Sequence, residues 1–134
     1  MKNRKIIASV LGLSLALAAS SGTAHHSFAV QFDANKPITL VGTVTDVVWR
    51  NPHAWFYIDV EGDDGVTNWG MELGSPNLLM RQGWSRSSMK VGDEVTVVGF
   101  HARDGSNTGN ARVVTLNETG KQFSAGSSYT GSEE

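Results

Sequence analysis

The chain alternates between two kinds of residue from His53 to Val60. Even-numbered positions are apolar, whereas odd-numbered positions carry rings or polar groups. Successive side chains of a β-strand point to opposite faces, so this pattern predicts a half-buried strand. One face requires a core, and the other is a surface that can meet a ligand. The apolar face holds Ala54, Phe56, Ile58 and Val60, and the other holds His53, Trp55, Tyr57 and Asp59.

Similar patterns predict five strands and one short helix. Ser75 suits the N-cap of the helix, Pro76 its first position and Gly83 its C-cap. Gly42, inside the first strand, predicts a bulge or sharp bend there. The strands, rich in β-branched and aromatic residues, are predicted over residues 38–48, 53–61, 66–73, 94–102 and 111–116.

The order of three strands, a helix and two strands predicts an all-β fold with one short helix, namely a five-stranded OB-like β-barrel. A small open β-sandwich is the alternative. The predicted organisation is a signal peptide over 1–24, an N-terminal arm over 25–37, the barrel over 38–117 and a flexible tail over 118–134. Phe123 is the one residue of that tail expected to dock on the barrel.

Two registers are open to the predicted hairpin of strands two and three. A turn at Asp63-Asp64 pairs Trp55 with Glu72, whereas a turn at Asp64-Gly65 pairs Tyr57 with Glu72. Both registers place the same polar and aromatic side chains on one face. The predicted binding face is therefore His53, Trp55, Tyr57, Asn68 and Glu72.

The first 24 residues have the organisation of an export signal. Lys2, Arg4 and Lys5 precede an apolar stretch over residues 6–19, which is shorter than the ~20 residues of a membrane span. Small residues then end at Ala24, a suitable cleavage site. The chain has no cysteine. We expect a periplasmic protein without a membrane span after cleavage; the alternative is an uncleaved N-terminal anchor.

Charge argues against a nucleic-acid partner. Cleavage after Ala24 removes three of the 11 basic residues and none of the 13 acidic ones, so the net charge moves from −2 to −5. Nucleic-acid affinity depends on clustered lysine and arginine, and the basic residues here are scattered. No serine has the glycine-flanked setting of a nucleophile, and no residue pair is singled out for hydrolysis. The expectation is a non-enzyme.

Histidines suggest a metal site, with copper as the expected ion. Cleavage after Ala24 makes His25 the N-terminal residue, whose amine and imidazole together suit Cu(II). His26 and His53 are the further predicted ligands, and Glu72 is a candidate oxygen ligand or supporting group. His101 joins if the loops converge. The alternative is that His25 and His26 are solvated and that His53 only hydrogen-bonds its turn.

Five short features together carry a family resemblance. They are His25-His26-Ser27-Phe28, Asn51-Pro52-His53-Ala54-Trp55, Trp69 with Glu72, Gly74-Ser75-Pro76-Asn77 and Gly92-Asp93-Glu94-Val95. Together they resemble a bacterial family of small exported proteins that is classed as a domain of unknown function. The resemblance covers residues 25–127 and implies export and a compact β-rich domain. It implies no activity.

These observations predict an exported OB-like binding or accessory module of the periplasm. Its partner is a metal ion or small ligand, and copper bound by the N-terminal His and His53 is the specific version. The alternative is a metal-free protein-interaction module that serves an exported enzyme or an envelope complex.

Overall fold

Within residues 28–126, which the computed structural model describes, the chain forms six strands and two short helices. The predicted all-β class with little helix is confirmed. The first helix, α1, covers residues 28–31. The other elements are β1 (Phe32–Val48), β2 (Trp55–Gly62), β3 (Gly65–Glu72), α2 (Pro76–Arg81), β4 (Glu94–Ala102), β5 (Thr108–Leu116) and β6 (Lys121–Ser124).

The six strands form one sheet in the order β3-β2-β1-β4-β5-β6. An additional parallel pairing joins β3 to β5, from Gly70 opposite Thr108 to Glu72 opposite Asn110. This pairing closes a ring of five strands, β1-β2-β3-β5-β4, and β6 lies beside β5 outside the ring. The ring brings the ends of β3 and β5 together, and these ends carry the candidate site.

The β2–β3 hairpin adopts one of the two predicted registers. Gly62 lies opposite Gly65 and Trp55 opposite Glu72, so the turn is at Asp63-Asp64. Phe56 and Ile58 are fully buried, as is Met71, which lies opposite Phe56. The predicted apolar face of this hairpin therefore does line the core.

β1 begins earlier than the sequence pattern indicates. It starts at Phe32, which pairs with Ala102 and is only 2% exposed. The predicted arm over 25–37 is therefore wrong from Phe32 onward, and residues 25–27 lie outside the described part. The polar residues that follow Phe32 lack the pattern of a strand, so the sequence did not indicate that β1 begins there. The pairing is also irregular between Phe32 and Pro37.

The irregularity of β1 opposite β2 is not at Gly42. The register shifts between Val44 and Asp46, two to four residues beyond the predicted position. Gly42 serves a close approach instead, because a Cβ there would lie 2.5 Å from the carbonyl oxygen of Asp59. The glycine is thus required by packing of β1 on β2 rather than by a bulge.

The helix α2 begins as predicted. Ser75 Oγ accepts a hydrogen bond from the backbone N–H of Leu78 at 3.3 Å, and Pro76 occupies the first position. Its C-cap is Gln82, one residue before the predicted Gly83, which follows with a φ of +94°. Leu79 of this helix is fully buried in the core.

The predicted flexible tail contains a strand. Lys121–Ser124 forms β6 against β5, so the expectation for 118–134 is wrong over these residues. Phe123 docks as expected: it is 5% exposed, and its ring centroid lies 4.7 Å from that of Trp84. Trp84 Nε1 also donates to the Ser124 carbonyl at 2.7 Å. Tertiary contacts of one aromatic residue thus order a stretch whose composition favours disorder.

Candidate functional site

A row of four residues crosses the outer surface of the ring. Trp55 of β2 lies opposite Glu72 of β3, Glu72 opposite Asn110 of β5, and Asn110 opposite Phe100 of β4. Paired residues on adjacent strands share a face, so the row continues the predicted binding face across the closure of the ring.

Glu72 is the buried acid of this row. Its residue exposure is 7%, and its Oε1 accepts a hydrogen bond from Asn110 Nδ2 at 3.1 Å. The His53 Nδ1 atom lies 3.9 Å from the same oxygen. Burial raises the pKa of Glu72, while the charge of His53 and the Asn110 hydrogen bond oppose that rise. Desolvation is the largest of these effects.

His53 is oriented by the backbone at the end of β3. Its Nδ1 lies 3.0 Å from the Leu73 carbonyl oxygen. A carbonyl only accepts, so Nδ1 carries the proton and donates it. In the neutral ring Nε2 then keeps its lone pair, and no described residue hydrogen-bonds to that atom. The side chain is 35% exposed.

The rings of Trp55 and Tyr57 pack against the backbone of Gly70. A Cβ on Gly70 would lie 3.1 Å from Tyr57 Cε1 and 3.8 Å from Trp55 Cζ3. Both aromatic residues are half-buried rather than projecting into solvent. Gly70 therefore provides the recess in which the two rings rest.

Trp55 and Glu72 line an open pocket of about 640 Å³, which we call the outer cleft. One wall is the N-terminal segment at Val30, Gln31 and Phe32. A second wall, adjacent to the first through the pairing of Phe32 with Ala102, is the β4–β5 connection and its flanks. The residues of that wall are Ala102, Arg103, Asp104, Ser106 and Thr108.

Arg103 holds the two walls of the outer cleft together. Its Nε donates to the Ala29 carbonyl at 2.6 Å, and its Nη1 lies 3.8 Å from Asp33 Oδ2. Phe28 supports the same segment, with ring centroids 5.7 Å from Phe32 and 5.9 Å from Phe100. The start of the described chain thus lies on the same outer surface as the row.

The structure brings together three of the five predicted binding-face residues. Trp55 and Glu72 line the outer cleft, and His53 lies beside Glu72, with its Nδ1 3.9 Å from Oε1. Tyr57 packs over Gly70 and is not among the residues that line the cleft. Asn68 does not line the cleft: its Nδ2 donates to Asp59 Oδ1 at 2.8 Å and to Thr45 Oγ1 at 3.1 Å. The residue is on the predicted face but nearer the hairpin turn.

The predicted metal ligands are only partly placed. His25 and His26 lie outside the described residues. His101 Nε2 hydrogen-bonds the Ser106 carbonyl at 2.8 Å, and its ring packs 5.2 Å from that of Trp69. Among residues 28–126, no group of three or more histidine and acidic side chains is arranged to hold a metal ion. His101 therefore does not join His53.

Sequence reasoning missed Asn110, Arg103 and Asp104 as site residues. All three fell in a stretch that reads as a polar loop. Their roles depend on the parallel contact of β3 with β5 and on docking of α1, which leave no local pattern. β5 begins at Thr108 rather than at residue 111, and the polar composition of this stretch did not indicate that earlier start.

Comparison with protein families assigns this chain to a family. A model described as "Family of unknown function (DUF6152)" matches residues 13–112, and the chain belongs to that family. Among curated proteins, none matches it. In residues 28–126 no helix has the length and apolar character needed to cross a membrane.

Proposed function

We propose that this member of the DUF6152 family is an OB-like binding or accessory module of the periplasm that takes its ligand into the outer cleft. The observation that carries the proposal is the position of that cleft. OB folds bind ligands on the outside of strands two and three, flanked by the loop between strands four and five. Here Trp55 and Glu72 come from β2 and β3, and Arg103 to Ser106 come from the β4–β5 connection.

The strand connections support the OB-like assignment. Three strands precede α2 and two strands of the ring follow it, which is the OB order. The parallel contact of β3 with β5 closes the ring in the order β1-β2-β3-β5-β4. An open β-sandwich has no need of that contact.

Binding in the outer cleft can be tested by NMR on the mature protein. The probes are Cu(II), choline, glucose and acetate, each titrated separately. At least one should shift the Trp55 indole and Glu72 amide signals, and Trp55→Ala should abolish the shift. If no probe perturbs either signal, the cleft is not the binding site that we propose.

Export is the second part of the proposal, and the basic and apolar residues before Ala24 support it. Intact mass of the protein recovered from a periplasmic fraction tests it directly. A mass equal to that of a chain beginning at His25 agrees with cleavage after Ala24. A full-length mass, or recovery only from the cytoplasm, contradicts export with cleavage.

Copper binding is the specific version that one observation favours. Metal-bound histidines commonly donate their second ring nitrogen to a backbone carbonyl, as His53 does to Leu73. In this version His25 supplies its amine and imidazole, and His26 is a further ligand. Phe28, two residues after His26, packs against Phe100, which belongs to the same row as Trp55 and Glu72.

A Cu(II) titration of three proteins tests this version. They are the mature chain, the same chain with one extra N-terminal residue, and His53→Gln. Each change should weaken binding by more than about tenfold, since each removes a ligand. Equal binding by all three contradicts the assignment. Recovery of a stable protein partner from metal-free extract favours the interaction module instead.

A further inference from the structure

The charged groups that line the outer cleft leave it acidic. Glu72 and Asp104 contribute carboxylates, and among the described residues that line the cleft Arg103 alone is basic. The Arg103 guanidinium is engaged by the Ala29 carbonyl and lies near the Asp33 carboxylate. Its charge is therefore directed to the N-terminal segment, and an anionic ligand would meet two carboxylates.

Glu72 retains capacity to accept hydrogen bonds. Within the described residues its carboxylate accepts from the Asn110 amide, and the His53 imidazole lies at 3.9 Å. An ionised carboxylate has roughly four acceptor positions. A buried acid with so few donors gains most from a ligand that brings both positive charge and N–H groups.

Trp55 adds an aromatic surface beside this acid. Its ring lies over Gly70, and its position is directly opposite Glu72. The face of an indole attracts cations more strongly than that of any other side chain. Tryptophan next to carboxylates is thus suited to an ammonium or guanidinium group.

The size of the cleft indicates an organic ligand. Its volume of about 640 Å³ lies in the usual range for small-molecule sites and is far larger than a bare metal ion requires. Val30, which lines the cleft and is 74% exposed, adds apolar surface that can cover the carbon skeleton of such a ligand.

We propose that the outer cleft binds an organic cation, with its ammonium or guanidinium group between the Trp55 indole and the carboxylates of Glu72 and Asp104. This ligand class rests on the proposed function, since it assumes that the cleft is the ligand site. Hydrogen bonding by Ser106, through its side chain first and then through its backbone N–H, lowers the pKa of Asp104 and favours its charged form.

The test compares cationic and uncharged probes on the mature protein by NMR. Agmatine, which brings positive charge and N–H groups, and choline, whose quaternary ammonium brings positive charge alone, should both shift the Trp55 indole signal. The neutral carbon isostere of choline should bind at least about tenfold more weakly than choline. Glu72→Gln and Asp104→Asn should each weaken choline binding by about fivefold. Trp55→Phe keeps an aromatic ring and should weaken it less than Trp55→Ala.

Asp64→Asn is the matched control for Asp104→Asn. It removes the same charge at the exposed β2–β3 turn and should leave choline binding unchanged. An unfolding curve for each variant shows whether it is folded. If Asp64→Asn weakens choline binding as much as Asp104→Asn does, choline is attracted only by the net charge of the protein. That result would contradict binding in the outer cleft.

Two further outcomes separate this inference from the proposed function. Binding of glucose, acetate or Cu(II) in the cleft without binding of choline or agmatine overturns the cation assignment and leaves the binding module intact. Equal affinity for choline and its neutral isostere also overturns the cation assignment and leaves the binding module intact. A cleft that responds to no probe overturns both proposals.

Discussion

Two acidic regions of the outer surface differ in their contact with water. The outer cleft contains Glu72, which is nearly buried and hydrogen-bonded to Asn110. The second region, which we call the hairpin-end groove, has a volume of about 490 Å³ and an apolar part that includes Val66, 62% exposed. Its lining residues are Val41, Thr43, Asp59, Glu61, Val66 and Glu94.

The difference shows that carboxylates alone do not make a site. In the hairpin-end groove the Asp59 carboxylate accepts from Asn68 at 2.8 Å in an exposed pair, where water screens charge. In the outer cleft a similar amide–carboxylate pair is buried beside Trp55, where an unsatisfied group costs far more. Burial and the aromatic neighbour, rather than the number of acids, distinguish the cleft.

The largest expected effect comes from adding a methyl group at the backbone of each region. A Cβ on Gly99 would lie against the carbonyl group of Asn110, whereas a Cβ on Gly62 would be 3.6 Å from the Gly65 oxygen. Gly99→Ala should therefore lower the free energy of unfolding by about 3 kcal/mol. Gly62→Ala should change it by less than about 0.5 kcal/mol. Urea denaturation measures both, and equal effects would contradict the packing of β4 on β5.

The next largest effect concerns the two amide–carboxylate pairs. Asn110→Ala removes the donor to the buried Glu72 and should cost about 2 kcal/mol of unfolding free energy. Asn68→Ala removes the donor to Asp59 in an exposed pair and should cost less than about 0.5 kcal/mol. Thermal and urea unfolding provide the measurement. A larger loss for Asn68→Ala would reverse the comparison.

The smallest effect is a pH dependence. Because burial raises the pKa of Glu72 above its usual 4.5, the unfolded chain releases this proton at lower pH than the folded protein. The Glu72 contribution to the free energy of unfolding is therefore full below pH 4.5 and falls as the pH rises through the folded pKa.

Glu72→Gln removes this fall and keeps an oxygen that can accept from Asn110. The variant should therefore gain stability relative to the natural protein as the pH rises above 4.5. Unfolding curves at several pH values measure the gain. Glu61→Gln, in the hairpin-end groove, is the control and should retain the fall. A variant of Glu72 that follows the natural curve would show that burial does not govern this acid.

Most of the fold follows from local patterns. Alternation of residue types predicted β2, β3 and β4 to within two residues, because a strand with one buried face needs that pattern. The cap at Ser75 also depends only on neighbouring residues. The starts of β1 and β5 and the existence of β6 were not predictable in this way. Phe32 is followed by a mostly polar stretch, the start of β5 lies in a polar loop sequence, and Phe123 is a single aromatic residue among polar ones.

Part of the candidate site could be predicted from the sequence. His53, Trp55, Tyr57 and Glu72 share one face by hairpin geometry alone, in either register. Which of these residues is buried depends on the segments that cover the face. Those segments are α1, which Arg103 holds in place, and the end of β5. A hairpin pattern contains no information about segments that are distant in sequence.

The sequence by itself determined the class of fold, the hairpin and the polarity of its two faces, because these depend on side-chain alternation and on turn residues. Only the tertiary structure decided that Asn110 meets Glu72 and that the N-terminal segment encloses the outer cleft. Contacts between residues 38 positions apart arise from ring closure. They also set the burial of Glu72, and that burial gives this carboxylate its distinct chemistry.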